Sequence, residues 1–150
     1  MRMHRDDAGT AIVEFVFVAV IVLVPLVYAI VAVADVQRSQ LAVTQAARDA
    51  GRAFATSDSA AEADRRARVA IRLAMSNQNL SDDADVRFVD ASAPCTSAAI
   101  EPRLVAGAAF AVCVTRRVEV PGVPTILQGR GITTVGRYVV RVDQYRAVLP

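Results

Sequence analysis

Gly9-Thr10-Ala11-Ile12-Val13-Glu14-Phe15 opens an apolar run that reaches Ala34 with no charged residue after Glu14. Between Phe15 and Ala34 the only hydrogen-bonding side chain is Tyr28. A helix rises 1.5 Å per residue, so this run is about 30 Å long as a helix, the thickness of a bilayer's hydrocarbon core. The chain therefore reads as a short charged leader (residues 1–9), a transmembrane helix (residues 10–35) and a domain outside the bilayer (residues 36–150). A cleaved secretory signal is the competing reading. Ala32-Val33-Ala34 fits a small-residue cleavage site loosely, but the run is longer than a signal core. Arg2 and Arg5 precede it, and Arg38, Arg48 and Arg52 follow, so counting positive charge does not orient the span. Pro25 inside it removes one backbone hydrogen bond and predicts a kink or local loosening, which membrane helices tolerate.

Glu14 stands at the rim of the span, five residues after a glycine. Read alone, it is the last polar residue before the membrane, where a carboxylate is far cheaper than at the bilayer centre. Gly9, then Glu14-Phe15 and a long apolar stretch, resembles the amino terminus of type IV pilin-like proteins. With Val24-Pro25-Leu26 and Ala46-Ala47-Arg48-Asp49-Ala50-Gly51-Arg52 added, the chain is similar to the TadE family of tight-adherence pseudopilins over roughly residues 5–56. The related TadF proteins share this layout. The resemblance implies that a prepilin peptidase cuts at the cytoplasmic face after Gly9, leaving Thr10 as the new terminus and Glu14 as its fifth residue. It implies a minor pilin or pseudopilin acting in assembly of a tight-adherence (Flp-type) pilus. The partners it implies are the prepilin peptidase, other pilins or pseudopilins, an inner-membrane assembly platform and a cytoplasmic secretion ATPase, with membrane lipid around the span. Glu14 and Phe15 would be assembly residues: a buried carboxylate needs a partner, and the Thr10 ammonium of a neighbouring subunit supplies one. The implied location is the cytoplasmic membrane, single-pass, with the carboxy-terminal domain outside and incorporation in a surface pilus on assembly. Asp6 and Asp7 depart from a cleanly basic leader. The alternative is a signal-anchored extracytoplasmic ligand-binding domain never processed at Gly9.

Past the span, Val36, Val43, Ala47, Ala50 and Phe54 recur at helical spacing, so residues 36–56 read as an extension of the membrane helix. Asp35 with Arg38 and Asp49 with Arg52 are i,i+3 pairs on it. Ser59 and Glu62 form a capping box that starts a second helix over 60–76. Its apolar face is Ala63, Ala67, Ala70, Ile71 and Ala74, and Glu62–Arg66 and Asp64–Arg68 are i,i+4 pairs. Asn77-Gln78-Asn79 ends it. From Asp85 the texture turns β-branched. Val86–Val89, Ala108–Val120 and Gly131–Tyr145 read as strands, with Pro121-Gly122-Val123-Pro124 between the last two. Phe110, Val112, Val114, Val118 and Val120 share one face, broken by Arg116. Ile132, Tyr138, Val140 and Val142 share another. The fold class is α+β: a long amino-terminal transmembrane helix leading into a small domain, with a second helix packed on an antiparallel sheet of about three strands.

Cys95 lies in a loop and Cys113 in a strand, on the face opposite Phe110 and Val112. Neither has the spacing of a zinc site. A disulfide is the reading taken, which puts residues 36–150 in an oxidising compartment; the other is two free thiols. Net charge is +2, with 17 basic residues that are all arginine against 15 acidic ones. No strong electrostatic partner follows. Arg65, Arg68 and Arg72 line one helix face, but interleaved acids and the lack of aromatics argue against nucleic acid. Asp82-Asp83-Ala84-Asp85 lacks the glycine and distal glutamate of a calcium loop and reads as a solvated turn. The single histidine, His4, is in the leader. There is no phosphate loop, nucleophile elbow or HExxH. The expectation is a non-enzyme without cofactor or metal.

Overall fold

The computed structural model describes residues 7–118 and 131–145. Residues 1–6, the end of the second expected strand at Val120 and the Pro121–Pro124 turn lie outside the described residues. Helix α1 (Asp7–Ala55) spans 49 residues, about 73 Å at the usual rise. It runs on through Pro25 without ending. Helix α2 (Ala60–Ser76) follows after a short turn, and then strands β1 (Asp85–Asp90), β2 (Ala109–Val118) and β3 (Ile132–Arg141). The strands form one antiparallel sheet in the order β1-β2-β3.

Among the described residues, α1 is the one helix long and apolar enough to cross a membrane, and none of its apolar window is buried inside the protein. Its environment changes at Ser39. From there Ser39, Ala42, Val43, Ala46, Ala47, Ala50, Gly51 and Phe54 are buried. The expected stripe is buried from Val43 onward, while Val36 is only half-buried. Ser39, Ala42, Ala46 and Gly51 widen it. Asp49 does not pair with Arg52 as expected. It accepts instead from Gln45 Nε2 at 2.8 Å, one turn back on the same helix.

The turn after α1 is set by side chains that bond back to the helix. Thr56 Oγ1 donates to the Arg52 carbonyl and Ser57 Oγ to the Ala53 carbonyl. Ser59 then caps α2, accepting from the Glu62 amide at 3.3 Å. Asn79, at φ 53°, closes the other end: its N–H donates to the Ser76 carbonyl and that of Leu80 to the Met75 carbonyl. This left-handed ending satisfies carbonyls that would otherwise be unpaired. The buried face of α2 is Ala63, Ala67, Ile71, Ala74 and Met75. Ala70 is only partly covered, and Met75 takes the end of the stripe.

α1 lies over β2 and β3, α2 packs against α1, and the cluster joining them contains Phe110, Val112, Val114, Val140 and Val142. Phe54, Phe88 and Phe110 meet with ring centroids 5.2–5.9 Å apart, in tilted and edge-to-face pairs. Along the same seam the layers approach closely at two glycines. A Cβ on Gly136 would collide with the Val43 carbonyl, and one on Gly51 would come within 2.6 Å of Val140 Cγ2. β3 starts as expected but stops at Arg141 rather than Tyr145. Asp143 accepts from the Tyr145 amide at 2.9 Å, a local turn that competes with the strand ladder. Ile132 faces the same way as Tyr138, Val140 and Val142 yet is 45% exposed, because it lies beyond the helix–sheet seam.

Replacing Gly136 by alanine is expected to destabilise the head by about 2–3 kcal/mol, since helix and strand backbones must separate. Leu41→Ala, on the exposed side of α1, is expected to change stability by less than about 0.5 kcal/mol. Thermal unfolding of the two variants in detergent compares them directly.

Candidate functional site

Two places in the structure carry the residues that the sequence singles out, and a third comes from the packing. The first is the start of α1. Gly9 and Thr10 fall in its opening turns, and the helix passes through Gly9 without a break. Glu14 lies one turn beyond Thr10, on the same side of the helix. Glu14 is exposed, and Phe15 is 75% exposed. Glycine costs about 1 kcal/mol relative to alanine inside a helix, so Gly9 is a weak point in the opening turns.

The second is the outer face of the sheet, away from α1. Cys95 and Cys113 are joined there in a disulfide, with Cα atoms 5.7 Å apart and a sequence separation of 18. The bond ties the connection between β1 and β2 down over Val89, Ala111 and Cys113, which are fully buried beneath it. Polar contacts hold the same segment. Arg137 Nη2 donates to the Ala91 carbonyl at 2.6 Å, and the Ile100 amide donates to the Phe88 carbonyl at 2.9 Å. Asp90 accepts from the amide and the hydroxyl of Ser92. Those two donors hold its carboxyl below the ordinary carboxylate range.

The third place was not anticipated. Arg116 breaks the apolar face of β2, and its guanidinium donates to Asp83 at 2.7 Å and to Ser81 at 3.1 Å. Next to it, Ser39 and Thr134 share a buried hydrogen bond of 2.7 Å. Thr134 donates its one proton to the Arg116 carbonyl, which makes Ser39 the donor to Thr134. Gln40 Nε2 donates to the Val135 carbonyl at 3.0 Å, on the open edge of β3. The acidic run at 82–85 is thus divided: Asp83 serves Arg116 and Asp85 begins β1. On α2 the expected pairs form, Glu62 with Arg66 at 2.7 Å and Asp64 with Arg68 at 2.9 Å. The hydrogen bond that Arg68 donates to Asp64, then the charge of Asp64, raises the Arg68 pKa above its usual value. Among the described residues, no three His, Cys, Asp or Glu side chains converge as metal ligands would.

Removing the disulfide (Cys95→Ser with Cys113→Ser) is expected to cost about 3 kcal/mol by the loop-closure estimate and to expose the peptide bond after Arg103 to trypsin. Thermal unfolding and limited proteolysis, with and without reductant, measure both effects.

No curated protein and no solved structure matches the chain. The family model of TadE-like proteins does match, over residues 9–52. The match begins at the glycine before Thr10 and ends inside α1, leaving α2 and the sheet unmatched. Residues 9–52 of the long helix are thus similar to TadE-like proteins, a family that implies involvement in tight-adherence pilus systems.

Proposed function

We propose that the chain is a minor pilin or pseudopilin-like subunit of a tight-adherence pilus, processed by a prepilin peptidase after Gly9. The observation that carries this reading is the coincidence of the TadE-like match with one continuous helix that begins as an exposed apolar run and ends in the core of the head. Residues 1–9 act as the leader, 10–35 as the transmembrane segment and 36–150 as a domain on the extracytoplasmic side. The buried disulfide supports that side, since such bonds persist in oxidising compartments. Removal of the leader gives Thr10 a free ammonium next to the membrane. In a bundle of such helices, Glu14 needs a positive partner, and the Thr10 ammonium of a neighbour provides it at the right depth. Phe15 packs beside that pair. The role is assembly rather than catalysis, with other pilins, the inner-membrane platform and the secretion ATPase as partners.

Amino-terminal sequencing of the native protein is expected to read from Thr10. A start at Met1 would leave an unprocessed, signal-anchored binding domain, and a start near Asp35 a secreted one. Glu14→Gln is expected to leave the subunit processed and membrane-bound while surface filaments are lost; filaments unchanged in number by electron microscopy would remove the carboxylate from assembly. In intact cells, Cys95 and Cys113 are expected to react with maleimide only after reduction. Free thiols in untreated cells would contradict the extracytoplasmic placement.

A further inference from the structure

The base of the head holds a cleft of about 350 Å³ lined by Asp35 and Arg38 from α1, Asp83 from the turn after α2, and Arg116 and Arg117 from the end of β2. Its height along α1 follows from helix geometry. The apolar run ends at Ala34, and Arg38 is one turn further, about 6 Å along the axis. The headgroup layer on each side of a bilayer is about 5–8 Å deep. β2 reaches the same level, because Ser39 bonds to Thr134 and Thr134 is the register partner of Arg116. The sheet's end thus meets the helix where the helix leaves the hydrocarbon.

The charges in the cleft are unequally satisfied. Arg116 is only 12% exposed and is fixed by Asp83 and Ser81. Arg38 faces Asp35 at 3.7 Å, at the outer limit of an ion pair, and its side chain is 47% exposed. Arg117 is exposed and has no ion pair among the described residues. Among the described lining residues three arginines face two carboxylates, an excess of one positive charge.

We infer that this cleft seats the phosphate of an anionic phospholipid, so that the head docks on the surface of its own bilayer through Arg38 and Arg117. Guanidinium groups bind phosphate oxygens in a bidentate fork, and basic residues next to a span are drawn to anionic lipid. The anchor holds the cleft among phosphates at high effective concentration, which a soluble ligand does not match. Arg116 is the positioning residue: tied to Asp83, it fixes the end of β2 from which Arg117 projects. The inference rests on reading α1 as a membrane span.

The test uses the full chain reconstituted in phosphatidylcholine bilayers, with spin-labelled phosphatidylglycerol or spin-labelled phosphatidylcholine as probe. Electron paramagnetic resonance reads the fraction of label slowed at the protein surface. The expected result is a preference for phosphatidylglycerol of about threefold at low salt. It should fall close to one in the double variant Arg38→Gln, Arg117→Gln, and persist in Arg38→Lys, Arg117→Lys, which keeps the charge. Both positions are exposed, and circular dichroism with the intact disulfide checks that the variants fold. Equal slowing of the two labels by the wild type would overturn the inference, as would a preference unchanged by the glutamine substitutions. A chain that fails to insert would overturn the anchor reading and this inference with it; insertion without lipid preference would overturn this inference alone.

Discussion

The contact of α1 with β3 at Val43 and Gly136 is backbone against backbone, and the architecture of the head depends on it. It lets a helix continuous with a long apolar run lie flat on a three-stranded sheet. The neighbouring positions are correspondingly small: Ala42, Ala46, Ala47, Ala50 and Gly51 give the helix a slim face that α2 and the sheet share. Three aromatic rings, Phe54, Phe88 and Phe110, gather toward the end of that seam away from Gly136. A uniformly large core would have pushed the helix away and opened the base of the head.

The two faces of the sheet are covered by different means, the outer one only over β1 and β2, since the outward residues of β3 are exposed. On the inner face the cover is α1, whose apolar burial is the ordinary driving force of folding. On the outer face it is an irregular connection with little apolar area of its own, held by the Cys95–Cys113 bond and by Arg137. A small domain with one thin core gains most from such a covalent tie. The division also separates tasks. The inner face joins the head to its anchor, while the outer face is independent of it.

Much of this was legible in the sequence because its signals are local. An apolar run longer than a signal core, a serine three residues before a glutamate, and alternation along β2 and β3 each report on neighbours in the chain. The two cysteines were also readable, since Cys113 falls on the face away from Phe110. What could not be read depends on distance. Ser39 and Thr134 are separated by 95 residues, and neither has a hydrophobic signature that marks it as buried. Arg116 looked like a flaw in an apolar face; its partner Asp83 looked like part of a solvated turn. Gly136 carries no local signal of its role, because its requirement comes from a carbonyl on a distant helix. At the start of α1 the reading of Gly9 and Glu14 came from family likeness, as the local chemistry there is one exposed carboxylate on a helix.

No loop, glycine pair or helix end intervenes between the apolar run and the first residue of the head core: Ala34 and Ser39 belong to the same stretch of α1. The head is thus mounted on a stiff shaft instead of swinging from a tether. Each residue of helix advances the axis by 1.5 Å and turns it by about 100°. A rotation or lift at the apolar end therefore reaches the head along one continuous helix. The molecule behaves as a crank, and its outer face points wherever its foot is turned.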